Sequence, residues 1–383
     1  MTRVSSERYK ENILKKFTLT ILVLINVAIV LGLWATGFSD FLSPNVFGWL
    51  SLMGYAFPLF IIATIAFLFV WVVIKKRFLL ISVIGLLVAY HPITLYCPIN
   101  SSTAEADLPD SLITVLSYNS SNWGNLTTSP DKVSTPEEKV NKITDMIKQV
   151  DADIIALQES PLSDDAKPIT SMYQYADTIC SPNKNGVVIT LLSRYPILKK
   201  ENLNIESKSN VCGAFWLDVN GKEVIVLNAH LEVMHFSMEE RSQFSTIVHG
   251  NQKDRDSIRS TSHTLIGKIY RSTKIRARQA ERIEEFIKEH HDIPIIIAGD
   301  FNDIPQSYVH NTIVNALDEY DSEIIDCYAA TAFGPGYTFK HFGIRVRIDN
   351  IMCSEHLTPY NCHIINDINT SDHLPVTVKL NMK

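Results

Sequence analysis

Three long apolar runs occupy the first quarter of the chain, and no charged residue interrupts them. They cover residues 17–39, 41–74 and 78–98, and Leu, Ile, Val, Ala and Phe dominate them. A helix needs about 20 apolar residues to cross the hydrocarbon core of a bilayer. The pattern therefore predicts three transmembrane helices in a membrane anchor of residues 1–98. A cleaved signal peptide accounts only for the first run, and three buried helices of a soluble core are the weaker alternative, because uncharged runs of this length are rare there.

Basic residues flank these runs on one side of the predicted membrane only. Five Lys or Arg residues precede the first run, and the turn 75–77 between the second and third runs reads Lys-Lys-Arg. The link between the first and second runs has neither, and the first Lys or Arg after the third run is Lys132. Cations are retained on the cytoplasmic side of a membrane. The sequence thus predicts a multi-pass protein of the plasma (inner) membrane, with a cytoplasmic N-terminus and everything after the anchor outside the cytoplasm.

Beyond the anchor the pattern changes to short apolar strands separated by helices. Residues 99–110 are small, polar and flanked by proline, which is typical of a linker, and residues 111–383 form the second domain. Asn220-Gly221 is a strong signal for a hairpin turn. The predicted strands are 112–118, 153–158, two that flank Gly186 and include 187–192, 215–219, 223–227, 295–298, 345–352 and 376–380.

Helix signals separate several of these strands. Thr135 and Pro136 are typical of an N-cap and a first helical residue, and further helices are predicted over 264–290 and 308–317. The stretch 232–262 is polar and predicts no regular structure. The basic stretch 274–278 is expected to be a solvated helix face; the alternative is a surface that faces phosphate or lipid headgroups.

Charge limits the classes of function that fit this second domain. Residues 1–100 hold 8 Lys and Arg against 3 Asp and Glu, which leaves 27 against 38 and a net charge of −11 for the rest. Affinity for nucleic acid depends on Lys and Arg that neutralise phosphates. The balance argues against a general nuclease unless a basic groove is concentrated locally.

The six cysteines contain no Cys-x-x-Cys pair, so a zinc or redox motif is not indicated. In an exported domain a disulfide is permissible, and Cys180 with Cys212 is the pair we consider. Separate buried thiols are the alternative.

Polar side chains recur where the predicted strands end. The sharpest case is residues 295–302, Ile-Ile-Ile-Ala-Gly-Asp-Phe-Asn, in which a buried strand leads to Asp300 and Asn302. Residues two apart in an extended chain point to the same side, and α/β sheets place their chemistry at the carboxyl edge. The other such positions are Asn119, Glu159, Asn228, His230, Asp349, Asp372 and His373. Asp349 is costly inside a strand unless it is paired, and His373 is its natural partner.

This collection of side chains fits the hydrolysis of a phosphate ester. Carboxylate and amide oxygens with two histidines suit Mg²⁺ or Mn²⁺ better than zinc. A cation on the phosphoryl oxygens, a positioned water and a proton donor for the leaving oxygen are the parts that the reaction needs.

In their order along the chain, these motifs resemble those of the endonuclease/exonuclease/phosphatase superfamily. The resemblance rests on Asn119, Leu157-Gln158-Glu159, Asn228-Ala229-His230-Leu231, Gly299-Asp300-Phe301-Asn302, Arg347-Ile348-Asp349 and Ser371-Asp372-His373. It implies an α/β domain that is a four-layer α/β/β/α sandwich with two central mixed sheets, preceded here by the three predicted transmembrane helices. It also implies a phosphoesterase that depends on a divalent cation.

The resemblance further implies a role for each matched residue. Glu159 would be the principal metal ligand, helped by Asn119 and Asp372. Some nuclease members carry a second acidic group just after the first-strand Asn, where this chain has Ser120-Ser121-Asn122, and a metal site with two carboxylates is therefore in question.

The remaining matched residues would act on the water and the phosphate. Asp300 would orient or deprotonate the water, and Asn302 would hold the water and the phosphate. Asp349 would fix the ring of His373, so that this pair stabilises charge on the phosphoryl group. His230, with Asn228 beside it, would contact the phosphate or assist the leaving group.

The expected function is a membrane-tethered phosphoesterase acting outside the cytoplasm on a phospholipid or a small phosphorylated molecule. A tethered nuclease is the alternative and needs a basic groove, for which the candidates are Arg255, Arg259, Lys268, Lys274, Arg276 and Arg278. A non-catalytic binding module is a third reading, which the intact histidines and carboxylates disfavour.

Overall fold

The computed structural model describes residues 2–126, 129–183, 186–234, 236–248, 255–341 and 344–383. The helices are α1 Thr2–Gly37, α2 Pro44–Phe47, α3 Phe57–Ile74, α4 Leu79–Val88, α5 Tyr90–Tyr96, α6 Pro136–Val150, α7 Lys167–Thr170, α8 Met238–Val248, α9 Arg255–Glu289, α10 Tyr308–Val314 and α11 Cys327–Thr331. The strands are β1 Ile113–Asn119, β2 Ile154–Gln158, β3 Tyr175–Cys180, β4 Val188–Ser193, β5 Ile197–Asn202, β6 Val211–Val219, β7 Lys222–His230, β8 Ile295–Asp300, β9 Ile324–Asp326, β10 Phe339–His341, β11 Ile344–Val346, β12 Asp349–Ser354, β13 Leu357–Ile364 and β14 Val376–Met382.

The anchor contains two helical stretches that can cross a membrane, Asn12–Gly37 in α1 and Pro44–Ile74, which ends in α3. The third predicted span is a bent pair, in which the helix over Lys76–Val88 meets α5 at 63°. Among the described residues the anchor therefore has two spans, or three if the bent pair counts as one. The second apolar run is also divided, because a 3₁₀ helix over Gly48–Ala56, here called the 48–56 segment, precedes α3.

Small residues and a buried polar cluster hold the anchor helices together. Asn26 accepts a hydrogen bond from Trp71 at 2.7 Å and donates one to Ser82 at 3.1 Å. Gly32 allows the ring of Phe60 to lie where a Cβ would stand, since that Cβ would be 2.1 Å from the ring. Close approach at glycines and hydrogen bonds between helices are the contacts that pack helices in lipid.

The second domain is built on two six-stranded sheets. The first has the order β13-β14-β1-β2-β4-β3 and the second β5-β6-β7-β8-β12-β9. β1 and β2 pair parallel, as do β7 and β8, and the other described pairs within these sheets are antiparallel. Both sheets are mixed, as predicted.

Alternation along the strands divides the core into layers. In β8, Ile296 and Ala298 pack between the two sheets, whereas Ile295 and Ile297 pack against helices. The helices on the second sheet include α9 and α10, through residues such as Ile283 and Val309. The first sheet packs on α6 and α7 through a separate cluster that contains Ile143 and Ile169. The prediction of a four-layer α/β/β/α sandwich is confirmed.

Most of the predicted elements are present, and the differences have local causes. The capping box at Thr135 and the hairpin at Asn220-Gly221 form as predicted. β5 was missed because its sequence, Ile-Leu-Lys-Lys-Glu-Asn, carries charges at an exposed sheet edge. The prediction that 232–262 lacks regular structure was wrong, since α8 and the first turns of α9 lie there; their polar surface hides the helical period.

The disulfide between Cys180 and Cys212 is not formed. All six cysteines are free thiols, with Cys180 exposed and Cys212 buried in the layer beneath α9. Burial raises the pKa of the Cys212 thiol, so that this group is a structural apolar residue.

The linker and the anchor both pack against the second domain. Asn100 donates a hydrogen bond to the carbonyl of Ala329 at 2.8 Å. Arg347, which pairs with the buried carboxylate of Asp326, also donates to the carbonyl of Leu95 at 2.8 Å. Trp49 of the 48–56 segment stacks on Tyr270 of α9, with ring centroids 4.4 Å apart. These contacts fix the end of the anchor beside one edge of the sandwich.

Candidate active site

The polar strand ends converge at one edge of both sheets. In the second sheet the register places His230 and Asp349 on either side of Asp300. In the first sheet β1 ends at Asn119, and Glu159 directly follows β2. A cavity of about 460 Å³ lies between them and is lined by Asn119, Glu159, His230, Asp300, Asn302, Asp372 and His373.

A close packing of backbones places Asp300. The preceding Gly299 has φ of +145°, and a Cβ there would lie 1.9 Å from the carbonyl oxygen of Ala229. Only glycine fits this position. One carboxylate oxygen of Asp300 accepts the backbone N–H of Asn302 at 2.9 Å, and the other accepts the amide of Asn119 at 3.1 Å.

His373 and Asp349 form the pair that the sequence predicts. Nδ1 of His373 lies 2.9 and 3.1 Å from the two carboxylate oxygens of Asp349, and Nε2 lies 3.6 Å from Oδ2 of Asp300. Burial opposes the charge on this imidazole, but the attraction of Asp349 and Asp300 outweighs it and raises the pKa of His373 well above its ordinary value. These contacts favour the protonated, cationic form of His373, which lies between the carboxyl groups of Asp349 and Asp300.

His230 has the opposite character. Burial lowers its pKa, although Asp300 opposes this effect. Its Nε2 lies 3.7 Å from carboxylate oxygens of both Glu159 and Asp300, and both ring nitrogens are buried without a hydrogen-bond partner among the described residues. Such groups are costly unless something binds them. The neutral ring of His230 is thus placed to meet a ligand that enters the cavity.

Glu159 and Asp372 supply further carboxylates. Glu159 sits in a left-handed turn with φ of +53°, and Asn119 reaches it at 3.5 Å. Burial raises the pKa of Glu159, with the positive charge of His373 acting against that shift. Asp372 accepts a hydrogen bond from Ser121 at 3.0 Å.

Asn119 and Asn302 form hydrogen bonds with neighbouring groups of the site. Asn119 turns its amide nitrogen toward Glu159 and Asp300, while its oxygen accepts the N–H of Ser121 at 3.1 Å. Asn302 has φ of +52°, so the chain is not extended there, and its side chain donates to the carbonyl of Leu231 at 3.0 Å.

Asn228 does not reach the cavity. It shares a face of β7 with His230, as predicted, but lies one step deeper, where the two sheets meet. Its oxygen accepts from Gln158 at 2.8 Å, and its nitrogen donates to two carbonyls of the first sheet at 3.0 and 3.1 Å. Asn228 therefore ties the sheets together below the site.

Sequence reasoning missed several residues of the cavity, and Arg241 and Tyr55 are the two that bear most on its chemistry. Arg241 comes from α8, in the stretch for which no structure was predicted, and Tyr55 comes from the 48–56 segment of the anchor. The carboxylate and amide motifs of the sequence do not indicate that Arg241 or Tyr55 lies at the site. Burial raises the pKa of the Glu159 carboxyl group, and the positive charge of Arg241 is one of the smaller effects that oppose this rise.

The residues present fit a divalent cation. Carboxylate oxygens are the ligands that Mg²⁺ and Mn²⁺ prefer, and three carboxylates line the cavity. Among the described residues, Asp300, Asp349 and His373 offer ligand atoms that lie within 4.8 Å of one another. Burial raises the pKa of Asp300 to about 6, and a bound cation would relieve the cost of its charge.

A four-layer sandwich with carboxylates, amides and two unlike histidines at one edge defines a phosphoesterase of the metal-dependent class. A family model described as Endonuclease/Exonuclease/phosphatase family matches residues 123–373. The chain belongs to this family, and the protein is a metal-dependent hydrolase acting on phosphate ester bonds. A second model, described as a domain of unknown function, matches residues 19–96.

Solved structures are similar to this chain over part of its length. A family protein from Bacteroides thetaiotaomicron is 19% identical, covers 72% of this chain and 100% of its own, and has a TM-score of 0.49. A mannosyl-6-phosphatase from the same organism is 18% identical over 70% of this chain and 100% of its own, with a TM-score of 0.48. The human Nocturnin catalytic domain is 16% identical over 72% and 96%, with a TM-score of 0.49. No curated protein matches the sequence significantly.

Proposed function

We propose that this protein hydrolyses a phosphate ester that carries an apolar group, at the outer face of the membrane in which it is anchored. The observation that supports the substrate class is the lining of the cavity. The carboxylates and histidines form one polar cluster, here called the polar end, and many of the other lining residues are apolar. The apolar lining consists of Leu126, Val187, Val233, Met234, Phe236, Ile269, Ile304, Phe339, Ile344, Val346 and Ile348.

The phosphate binds at the polar end. Arg241 and the cationic ring of His373 face this region, and both attract the phosphoryl oxygens. Asp349 holds the ring of His373 in place through its hydrogen bond to Nδ1. We assign charge stabilisation on the phosphoryl group to this pair.

Asp300 is the group that takes a proton from the attacking water. Burial raises its pKa to about 6, which brings the carboxylate closer to the basicity of an efficient general base near neutral pH. The hydrogen bonds from Asn119 and the Asn302 backbone fix its orientation. Asn302 lines the cavity beside it and orients the water or the phosphate. The ring nitrogens of His230 have no hydrogen-bond partner within the part of the chain that the structure describes, and this ring is placed to hydrogen-bond the phosphate or the leaving oxygen.

Glu159 and Asp372 would hold Mg²⁺ or Mn²⁺, with Asn119 assisting from its position between Glu159 and Asp300. Two groups of residues could hold the ion: Glu159 with Asp372, and the Asp300–Asp349–His373 cluster. We choose the first, because Nδ1 of His373 is already engaged by Asp349 and a protonated ring repels a second cation. When bound, the ion supplies charge neutralisation for the phosphoryl oxygens. Glu159 follows β2 and Asp372 lies in the loop before β14, so the second acidic ligand proposed here does not depend on Ser120-Ser121-Asn122.

The anchor lies close to the apolar wall, which favours a substrate drawn from the bilayer. Tyr55 lines the cavity, and the 48–56 segment packs on α9 through Trp49. Lipid recruited in this way would present its phosphate to Asp300 while its chains contact apolar residues. Each buried methylene contributes about 0.8 kcal/mol to binding.

Three of the six candidate residues for the basic groove of a nuclease have partners within the protein. Arg276 is fully buried, Lys268 pairs with Glu240 at 2.6 Å, and Arg278 pairs with Glu206 at 2.8 Å. The expectation that the whole stretch 274–278 is a solvated face was wrong for Arg276. The side chain of Arg255 lies outside the described residues. These pairings favour an amphiphilic substrate over nucleic acid.

A substrate panel of matched pairs tests the proposal. Dioctanoyl phosphatidic acid and glycerol 3-phosphate form a monoester pair, dioctanoyl phosphatidylglycerol and glycerophosphoglycerol form a diester pair, and a DNA oligonucleotide is the nuclease probe. We expect kcat/KM to be at least about 10-fold higher for the acylated member of one pair, since several methylenes are buried. The measurement is release of product by the purified full-length protein with Mg²⁺ or Mn²⁺.

A pair of variants locates the chain-binding surface. Phe236→Ala, in the apolar wall, is expected to reduce the preference for the acylated substrate, whereas Phe333→Ala, at an exposed phenylalanine outside the cavity, should leave it unchanged. Equal rates for acylated and deacylated esters, or hydrolysis of the oligonucleotide alone, would contradict the proposed substrate class.

The extracytoplasmic placement rests on the anchor. The 48–56 segment and the end of α5 both contact the second domain, whereas α3 carries the chain away over 18 residues, about 27 Å, to the basic turn 75–77. The domain and the basic turn thus lie at opposite ends of α3, and basic turns are cytoplasmic.

A fusion experiment tests this placement. A reporter that matures only outside the cytoplasm is expected to be active when fused after Lys383 and inactive when fused after Arg77. The reverse pattern would place the catalytic domain in the cytoplasm.

A further inference from the structure

A buried hydrogen-bond network joins the anchor to the catalytic edge. The hydroxyl of Tyr55, in the 48–56 segment, donates to Oδ1 of Asp303 at 2.8 Å. Oδ2 of the same carboxylate accepts from Nε of Arg276 at 2.9 Å. Asp303 and Arg276 are 2% and 0% exposed, so bulk water does not substitute for either partner. The Asp303 carboxylate is therefore held from two sides, by the anchor and by α9.

Arg276 also contacts the loop that follows β7 and His230. Nη1 of Arg276 donates to the carbonyl of Glu232 at 3.0 Å, two residues after His230. The two loops also bond each other directly, since Leu231 donates its N–H to the carbonyl of Asp300 at 3.0 Å and accepts from Asn302 at 3.0 Å. The network thus fixes the loop that carries His230 relative to the loop that carries Asp300 and Asn302.

The anchor approaches this loop at backbone distance. A Cβ on Gly54 would lie 2.2 Å from the carbonyl oxygen of Gln306, so the 48–56 segment packs against the backbone three residues beyond Asp303. The side chain of Gln306 donates a hydrogen bond to the carbonyl of Pro92 in α5, the last helix of the anchor, at 3.2 Å. Close packing on both sides gives Tyr55 a defined position and its hydroxyl a defined direction.

We infer that Tyr55 is a positioning residue for catalysis, supplied by the membrane anchor, and that the active site is complete only when the 48–56 segment is docked. Loss of its hydroxyl leaves Oδ1 of this buried carboxylate with only the backbone N–H of Ile304, at 3.0 Å, as a donor. Losing one hydrogen bond to a buried charge is costly. Asp303 then relaxes toward Arg276 and carries the adjacent Asn302 with it. A displacement of about 1 Å in a catalytic group can lower a rate by about 10²-fold. The kinetic part of this inference rests on the proposed phosphoesterase activity.

Tyr55→Phe tests the inference, because it removes the hydroxyl and keeps the ring in the cavity wall. In full-length protein in detergent we expect kcat to fall about 10-fold with little change in KM, with p-nitrophenyl phosphate and bis-p-nitrophenyl phosphate as soluble probes. Hydrogen exchange should become faster at the amides of 300–304 and 231–233. Trp49→Ala is the matched control: it removes a contact between the same segment and α9 but none of the network bonds, and it should change neither quantity.

Each outcome has a distinct meaning. Unchanged kcat in Tyr55→Phe overturns the inference, whether or not exchange changes. Equal effects in Trp49→Ala overturn the assignment of the positioning role to the Tyr55 hydroxyl, because they would reflect docking of the segment in general. If the wild-type protein cleaves neither probe nor any ester of the panel, the proposed function fails, and the exchange comparison alone then decides whether Tyr55 holds the two loops.

Discussion

Replacement of Asp300 by asparagine is expected to lower kcat by about 10²- to 10⁴-fold, the range typical of a general acid or base. Asparagine keeps the size of the side chain but cannot accept a proton from water. The change should not unfold the protein. Burial is the largest effect on Asp300 and disfavours its ionised form; together with the charge of Asp349 it outweighs the attraction of His373, so that the pKa is raised to about 6. A neutral side chain at this position therefore removes a net unfavourable charge.

Two measurements make this result specific. Thermal unfolding of Asp300→Asn should match the wild type, which separates loss of chemistry from loss of fold. Asp367→Asn, at an exposed aspartate of the same domain, should retain full activity. Near-complete turnover in Asp300→Asn would remove Asp300 from the role of base.

Replacement of Glu159 by glutamine is expected to weaken Mn²⁺ binding by at least about 10-fold, on the scale seen when the ligand sphere of a metal site is disturbed. Glutamine preserves shape and the hydrogen bond with Asn119 but withdraws a negative charge. Hydrolytic activity should fall as Mn²⁺ affinity falls and should recover in part at high Mn²⁺ concentration. The loss of Mn²⁺ affinity can be measured without substrate, by electron paramagnetic resonance of free and bound Mn²⁺.

The control for this variant is Glu223→Gln, at an exposed glutamate near the start of β7. It changes the net charge of the domain by the same amount, so any general electrostatic effect on Mn²⁺ binding would appear in both proteins. Wild-type affinity for Mn²⁺ in Glu159→Gln would exclude Glu159 as the principal ligand.

The local sequence was sufficient to predict most of the polar residues that meet at the edge of the two sheets. β-branched strands followed by polar residues have few places to end other than a sheet edge, and the pairing of Asp349 with His373 followed from the cost of an unpaired charge in a strand. The sequence could not show that Asn228 is sealed between the sheets. The position of Asn228 depends on Gln158, which is 70 residues away in the chain and donates a hydrogen bond to the amide oxygen of Asn228.

The contacts between anchor and domain were the least predictable. In the sequence, Arg276 is one of three basic residues in a polar stretch that predicts an exposed helix face. In the structure it is buried against Asp303 and the 48–56 segment. Tyr55 lies in an uncharged run that the hydropathy pattern assigned to a span. The pattern reports the mean polarity of a run, whereas the 3₁₀ segment is fixed by packing on α9 and on the loop after β8.

The most direct test of the account is the metal dependence of ester hydrolysis by the purified full-length protein. We predict that EDTA abolishes hydrolysis of the best ester in the matched panel, and that Mg²⁺ or Mn²⁺ restores it in the wild type but not in Asp300→Asn. Hydrolysis that persists in EDTA, or that Asp300→Asn retains at the wild-type rate, would contradict the claim that these strand ends form one metal-dependent active site.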